Sequence, residues 1–245
     1  MNDQTVFSPY KSTGNAYQLR PYRNLLEILV VFVPLAVCAY LGQNLGLKTM
    51  LSGLVINLGY ILSVLTASVV LKLRGTGWKE IGLARPRSWV LTILIGVAAV
   101  VGAILVMNLV TVAIANLPGM EIPQPDITRF NPLEGNLFFL LGMIAIVWTT
   151  NTFGEELFYR AFLTTWLAEV FRNSNAAWAL GAIGSSVAFG LAHYGEGVAG
   201  IFSNGAFGFL FALIYLRTGR NLWASIIAHG LLNTLRFVLI YLGAV

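Results

Sequence analysis

Charge is scarce in this chain, and so are the residues that usually do chemistry at neutral pH. Only 10% of its 245 residues are Asp, Glu, Lys or Arg, where a soluble domain carries about 25%. One cysteine, Cys38, rules out an intramolecular disulfide and any Cys-based metal cluster; in its apolar run it reads as a small buried hydrophobe. There are two histidines, His193 and His229. Strand-like alternation over ten-residue segments is missing, which excludes a membrane β-barrel. No internal repeat or low-complexity tract is visible.

What fills the space is hydrocarbon. Hydrophobic residues make up 57% of the chain and the mean hydropathy is +0.77. A helical span needs roughly 20 mainly apolar residues. Such runs lie near 25–43, 50–72, 89–116, 136–171, 177–193, 198–216 and 222–243, the fourth too long for one straight crossing. Backbone groups in lipid must be satisfied within their own segment. The expectation is therefore an all-α, polytopic transmembrane helical bundle of about seven to eight spans. Residues 1–23 read as a cytoplasmic or interfacial tail, and 24–245 as a single membrane-embedded domain with the catalytic motifs within 150–240. The tail does not read as a cleavable signal, because the first apolar run is long enough to span.

The net charge of +5 is placed by topology and gives no reason to expect nucleic acid. Lys72, Arg74, Lys79, Arg85 and Arg87 crowd the connection after the second run, and Arg217 and Arg220 follow the sixth. Lys48 stands alone in the first connection, and Glu121, Asp126 and Glu134 outweigh Arg129 in the third. Basic residues favour the cytoplasmic side, which puts the N-terminus and the 73–88 connection inside. Compact size and the lack of organelle signals favour a prokaryotic plasma membrane, with lipids as the surrounding partner.

Three short patterns interrupt the apolar runs: Glu155-Glu156-x-x-x-Arg160, Phe189-x-x-x-His193 and His229-x-x-x-Asn233. An ionisable group in hydrocarbon costs several kcal/mol unless paired or wetted, so each marks a site by default. On a helix Glu156 and Arg160 share a face and can pair, while Glu155 points about 100° away. Two neighbouring carboxylates in low dielectric resist joint ionisation, which suits one of them to act as a general base. An ion pair that only locks two helices is the plainer alternative.

Hairpin arithmetic adds position. If the chain reverses near Asn173–Asn175, residues 155 and 193 lie at similar depth, so a carboxylate can face an imidazole. Phe189 then packs beside the site and does no chemistry. Asn233 lies one turn from His229 and can orient it or donate to an oxyanion. Arg236 continues that stripe and reads as snorkelling to an interface. His229 lies only ten residues beyond Gly219, so the Gly195–Gly205 region is expected to bend or re-enter.

The three motifs, in this order and on separate spans, resemble those of the CAAX protease and bacteriocin-processing (CPBP, also called Abi) family of intramembrane endopeptidases, whose best-known branch is the prenyl-protein CAAX endopeptidase. The resemblance covers roughly residues 136–243. It implies peptide-bond hydrolysis in a cavity reached from the cytoplasm, acting on a peptide or lipidated protein. Glu155 would activate water, His193, His229 and Asn233 would surround the water or the oxyanion, Glu156 would assist, and Arg160 would hold the helix pair. No cofactor is certain; a divalent metal such as zinc could be held by His193, His229 and Glu155. Nothing in the sequence marks a prenylated substrate.

Two other readings compete. Gly184-Ser185-Ser186 offers a rhomboid-like serine with His229 as base, which leaves Glu155, Glu156 and His193 unused. A transporter or channel could use the Glu/His cluster as a proton or cation relay. Transport predicts discontinuous helices in two matching halves, whereas every polar motif here lies in the C-terminal half.

Overall fold

The structure, a computed structural model, describes residues 21–44, 50–120 and 128–244. Among the described residues there is no strand, and seven helices are long and apolar enough to cross a membrane. They are α1 (Pro21–Asn44), α2 (Met50–Leu73), α3 (Trp89–Ala115), α4 (Leu137–Val170), α5 (Asn175–Ala192), α6 (Gly197–Arg217) and α7 (Trp223–Tyr241). The expected tail falls outside the described residues up to position 20; Pro21 to Arg23 belong to the first turn of α1. Lys48, Glu121 and Asp126 also lie outside the described residues. Large side chains such as Leu29, Val33, Leu58, Leu94, Val101 and Leu105 are exposed along the helices, as lipid-facing residues of a spanning bundle must be.

The long fourth run does not break into two crossings. It stays one helix of 34 residues, about 50 Å at 1.5 Å per residue. It is widened in two π-helical segments, Val147–Thr152 and Glu156–Leu163, on either side of the short α-turn Phe153–Glu155. Residues at the junctions keep right-handed helical dihedrals, so the axis continues. π-segments of this kind gather at functional sites because they re-aim side chains without ending the helix.

Local chemistry sets the turns. Ser88, Asn136 and Ser174 cap α3, α4 and α5, accepting from the backbone N–H of Leu91, Phe139 and Ala177. Arg172 and Asn173 take left-handed dihedrals to reverse the chain between α4 and α5. The predicted bend or re-entry over 195–205 is not found. A single 3-10 turn, Tyr194–Glu196, is followed at once by the unbroken α6, and Gly197 at φ 76° makes the junction.

Small residues bring the site helices together. A Cβ at Gly181 would lie 2.5 Å from the Thr164 carbonyl, and one at Gly190 2.4 Å from the Ile201 carbonyl. Thr164 donates to Ser185 across the α4–α5 interface at 2.8 Å. With little hydrophobic drive between helices in lipid, close approach of this kind supplies the cohesion.

Two ties define one end of the bundle. Arg74, just after α2, bonds Glu169 of α4 at 2.7 Å and reaches Glu27 and Asn24 of α1, with its guanidinium 4.5 Å from the centre of the Trp166 ring. The 79–84 turn receives hydrogen bonds from Tyr215 at 2.9 Å, Asn221 at 2.8 Å and the Leu222 N–H at 3.0 Å. At the opposite end the Gly135 N–H donates to the Tyr241 carbonyl at 3.0 Å.

Arg74→Ala should lower the thermal unfolding midpoint in detergent markedly, since stranding partly buried carboxylates typically costs about 3–5 kcal/mol. A melt indistinguishable from the parent protein would show that water, and not Arg74, neutralises Glu27 and Glu169.

Candidate active site

One imidazole organises the polar cluster, and it belongs to His229. Its Nδ1 lies 2.9 Å from Glu156 Oε1, and its Nε2 lies 3.7 Å from Glu155 Oε2. The two adjacent carboxylates of α4 thus address opposite nitrogens of the same ring. Glu156 also faces Arg160, Oε2 to Nε at 3.4 Å, so the expected i,i+4 pair is present. That distance is within ion-pair range, though the nitrogen makes no well-formed hydrogen bond. Glu155, Glu156, Arg160 and His229 are all buried.

His229 reaches α4 without any re-entrant segment. Its neighbour Gly230 lets Trp148 pack directly on α7, where a Cβ would meet the indole at 2.5 Å. The Trp148 Nε1–H donates to Thr234 at 2.9 Å, one turn further along. These contacts pin α7 to α4 at the turn where the imidazole must sit.

Arg160 is enclosed by aromatic rings. Its guanidinium carbon lies 4.3 Å from the centre of the Phe189 ring and 5.8 Å from those of Phe207 and Phe211. Ring faces attract a cation most strongly where water is excluded. Phe189 also contacts the rings of His193 at 4.7 Å, Tyr159 at 5.0 Å and His229 at 6.4 Å. It forms a platform joining both histidines to Arg160. The pairing of Tyr159 and Arg160 with Phe189, and of Thr164 with Ser185, follows the register that the hairpin arithmetic expects.

His193 ends α5 and is only partly buried. Its Nδ1 lies 2.9 Å from the Phe189 carbonyl, and its ring lies on the far edge of the Phe189 platform. Glu155 therefore has His229, not His193, as its immediate imidazole partner. Asn233 turns its amide to Thr152 at 3.4 Å, while the orienting contact on His229 comes from Glu156.

The donor set of the zinc alternative is not assembled. Among the described residues no three His, Cys, Asp or Glu side chains are grouped closely enough to hold a metal ion. The His229 Nδ1 is taken by Glu156, and the His193 Nδ1 is turned to a backbone carbonyl. The rhomboid-like reading fares no better. Ser185 is bonded to Thr164 and Ser186 to the Ala182 carbonyl at 2.6 Å, both as packing contacts.

Four participants escaped the sequence reading. Thr152 lies one turn before the carboxylates on the same helix, a spacing that could have found it. Tyr60 enters from α2 and sets its hydroxyl beside Glu155, and only the tertiary fold could reveal that. Glu196, on the turn after His193, adds a carboxylate whose field reaches Glu155, and Asn204 holds it at 2.9 Å.

Arg160→Ala should compromise assembly as well as any activity, because it strands Glu156 in a fully buried position. The expected cost is about 3–5 kcal/mol, read as lower heat stability and loss of a monodisperse peak in detergent. Arg160→Lys should not restore it, since an ammonium cannot lie flat on the Phe189 ring as a guanidinium does.

Residues 137–235 match a family model described as type II CAAX prenyl endopeptidase Rce1-like. No curated protein and no solved structure was found to match the chain. The matched stretch runs from α4 into α7 and contains all three motifs and every contact of the His229 clamp. Through this segment, as the motifs suggested, the protein is similar to the CAAX endopeptidase family.

Proposed function

We propose that the protein hydrolyses peptide bonds of membrane-associated or lipidated peptides, with Glu155 as the base that deprotonates water. The observation that carries this reading is the clamp: two carboxylates on the two nitrogens of His229, one paired with Arg160 and the other set beside Tyr60.

Hydrogen-bond donors fix the roles further. The Phe189 carbonyl can only accept, and the ionised Glu156 carboxylate can only accept. The Nδ1 proton of each histidine is thereby engaged. In the neutral imidazoles each Nε2 is then an acceptor, and neither can donate to an oxyanion. Glu156 is a positioning residue that fixes the tautomer of His229, in the way a buried carboxylate orients a catalytic imidazole in other hydrolases. The separation of 3.7 Å between His229 Nε2 and Glu155 Oε2 is too long for a direct hydrogen bond. It suits two acceptors holding one water, each about 2.8 Å from its oxygen.

The reaction then reads in order. Water donates one hydrogen bond to His229 Nε2 and gives its other proton to Glu155 as its oxygen attacks the scissile carbonyl. The carbonyl oxygen becomes an oxyanion, for which the Asn233 amide is the neutral donor at hand. Protonated Glu155 returns the proton to the leaving amine as the C–N bond breaks. Thr152 orients Asn233, and Tyr60 orients Glu155. A relay for transport lacks its usual frame, because α4 and α7 run unbroken past the cluster.

Purified protein should cleave peptide in the presence of a strong chelator as fast as in its absence. Glu155→Gln should lose at least about 10²-fold and up to about 10⁴-fold in turnover while remaining folded. Asn233→Ala should lose about 10²–10³-fold with little change in melting. Chelator-sensitive cleavage restored by zinc would replace this mechanism with the metal version. Near-normal turnover by Glu155→Gln would remove Glu155 as the base.

A further inference from the structure

We propose that a groove between α3 and α6 binds one anionic phospholipid, with an acyl chain laid in the groove and the phosphate on Arg217. The site is separate from the His229 clamp and does not depend on the proteolytic reading.

Packing makes the groove. The first turns of α3 follow α7: the Trp89 ring meets Trp223 at 5.3 Å between centres. Gly96 lets the two helices close, since a Cβ there would lie 2.8 Å from the Ile227 side chain. α3 meets α6 further along, where a Cβ at Gly102 would touch Leu210 at 3.6 Å. On the side of that contact nearer the 79–84 turn, a cavity of about 280 Å³ stays open to the outside of the bundle. Ile95 of α3 lines it, with Leu213, Ile214, Arg217 and Thr218 at the end of α6.

Depth decides what fills the apolar part. Trp89 is exposed at the start of α3, and an exposed tryptophan at a helix end sits at headgroup level. Ile95 lies six residues further on, about 9 Å inward, which is acyl-chain depth. Water held there would need two to four polar partners. The Thr218 hydroxyl is the neutral side-chain polar group of the lining, and it already donates to the Ile214 carbonyl at 2.8 Å. Hydrocarbon is the occupant that fits.

Charge decides which lipid supplies it. Arg217 ends α6 and is exposed, and no carboxylate among the described residues pairs with it. Arg85 and Arg87, just before α3, are exposed and equally unpaired. Asn221 donates to the Ala84 carbonyl at 2.8 Å, and the Leu222 N–H to that of Gly82 at 3.0 Å. These bonds hold the chain before α3 against the α6–α7 turn, so the three guanidinium groups gather at one end of the groove. Arg220 is engaged elsewhere, over the Trp178 ring at 4.6 Å. A phosphate is the acceptor that suits such a group, and at this level phospholipid provides it. A zwitterionic headgroup would bring its own cation into the same field, whereas phosphatidylglycerol would not. A lipid bound here braces α6, which carries the Phe207 and Phe211 rings near Arg160.

Purified protein in detergent can be titrated with phosphatidylglycerol and, in parallel, with phosphatidylcholine of the same acyl chains. Native mass spectrometry should show one phosphatidylglycerol retained per chain in preference to phosphatidylcholine, and that lipid should raise the unfolding midpoint more. Arg217→Gln should weaken phosphatidylglycerol retention about fivefold, the equivalent of about 1 kcal/mol per basic residue near a membrane surface, and leave phosphatidylcholine unchanged. Leu213→Trp, which fills the groove and keeps Arg217, should weaken both lipids. Arg217 is exposed, so its variant should fold like the parent and decides the matter if Leu213→Trp does not fold. Equal retention of the two lipids by the parent protein would overturn the proposal, as would phosphatidylglycerol retention unchanged in Arg217→Gln. Displacement of the lipid by equimolar glycerol phosphate would also overturn it, by showing a phosphate site that makes no use of the groove.

Discussion

An unpaired carboxylate cannot stay ionised inside a membrane, and the burial of Glu156 is the constraint on which the site depends. Its side chain is wholly enclosed, with Arg160 at 3.4 Å and His229 at 2.9 Å as its polar partners. Both partners are packed in place. Arg160 is held on the Phe189 ring, and His229 is held by the packing of Gly230 on Trp148. Burying two charges rarely stabilises a protein by itself, but removing one of them is costly. Such a pair therefore makes the arrangement obligatory, and the helices carrying it are locked into one register.

Register is also what the small residues supply. Gly181 and Gly190 bring α4, α5 and α6 close enough that Phe189 can touch Arg160 and both histidines at once. The π-segments of α4 contribute at the same turns. Glu155 ends the short α-turn between them and Glu156 begins the second, so adjacent residues reach the two sides of a single imidazole. The polar chemistry and the backbone irregularity coincide, as expected where a helix is shaped for a site rather than for stability.

The resulting packing gives two chemically identical side chains different partners. Glu156 is paired with Arg160 and with His229 Nδ1, while Glu155 is set against Tyr60 and His229 Nε2. Environment alone makes this difference.

Much of this was legible in the sequence. Long apolar runs in a chain with few charges dictate spanning helices, because lipid offers the backbone no other partner. Scarcity made the motifs visible, since ionisable residues in such runs are too costly to be incidental. The Glu156–Arg160 pair followed from helical spacing, and the pairing of α4 with α5 followed from equal distances to one turn. The partner of each carboxylate did not follow. His229 lies 73 residues from Glu156, and its approach depends on how α7 packs against α4, a choice made by Gly230, Trp148 and Thr234 acting together. The unbroken course of α4 was equally hidden, because hydropathy registers length but not the π-turns that absorb it. Tyr60 comes from a helix with no motif at all. Sequence fixes what each residue costs in lipid, and only the packed bundle decides which neighbour offsets that cost.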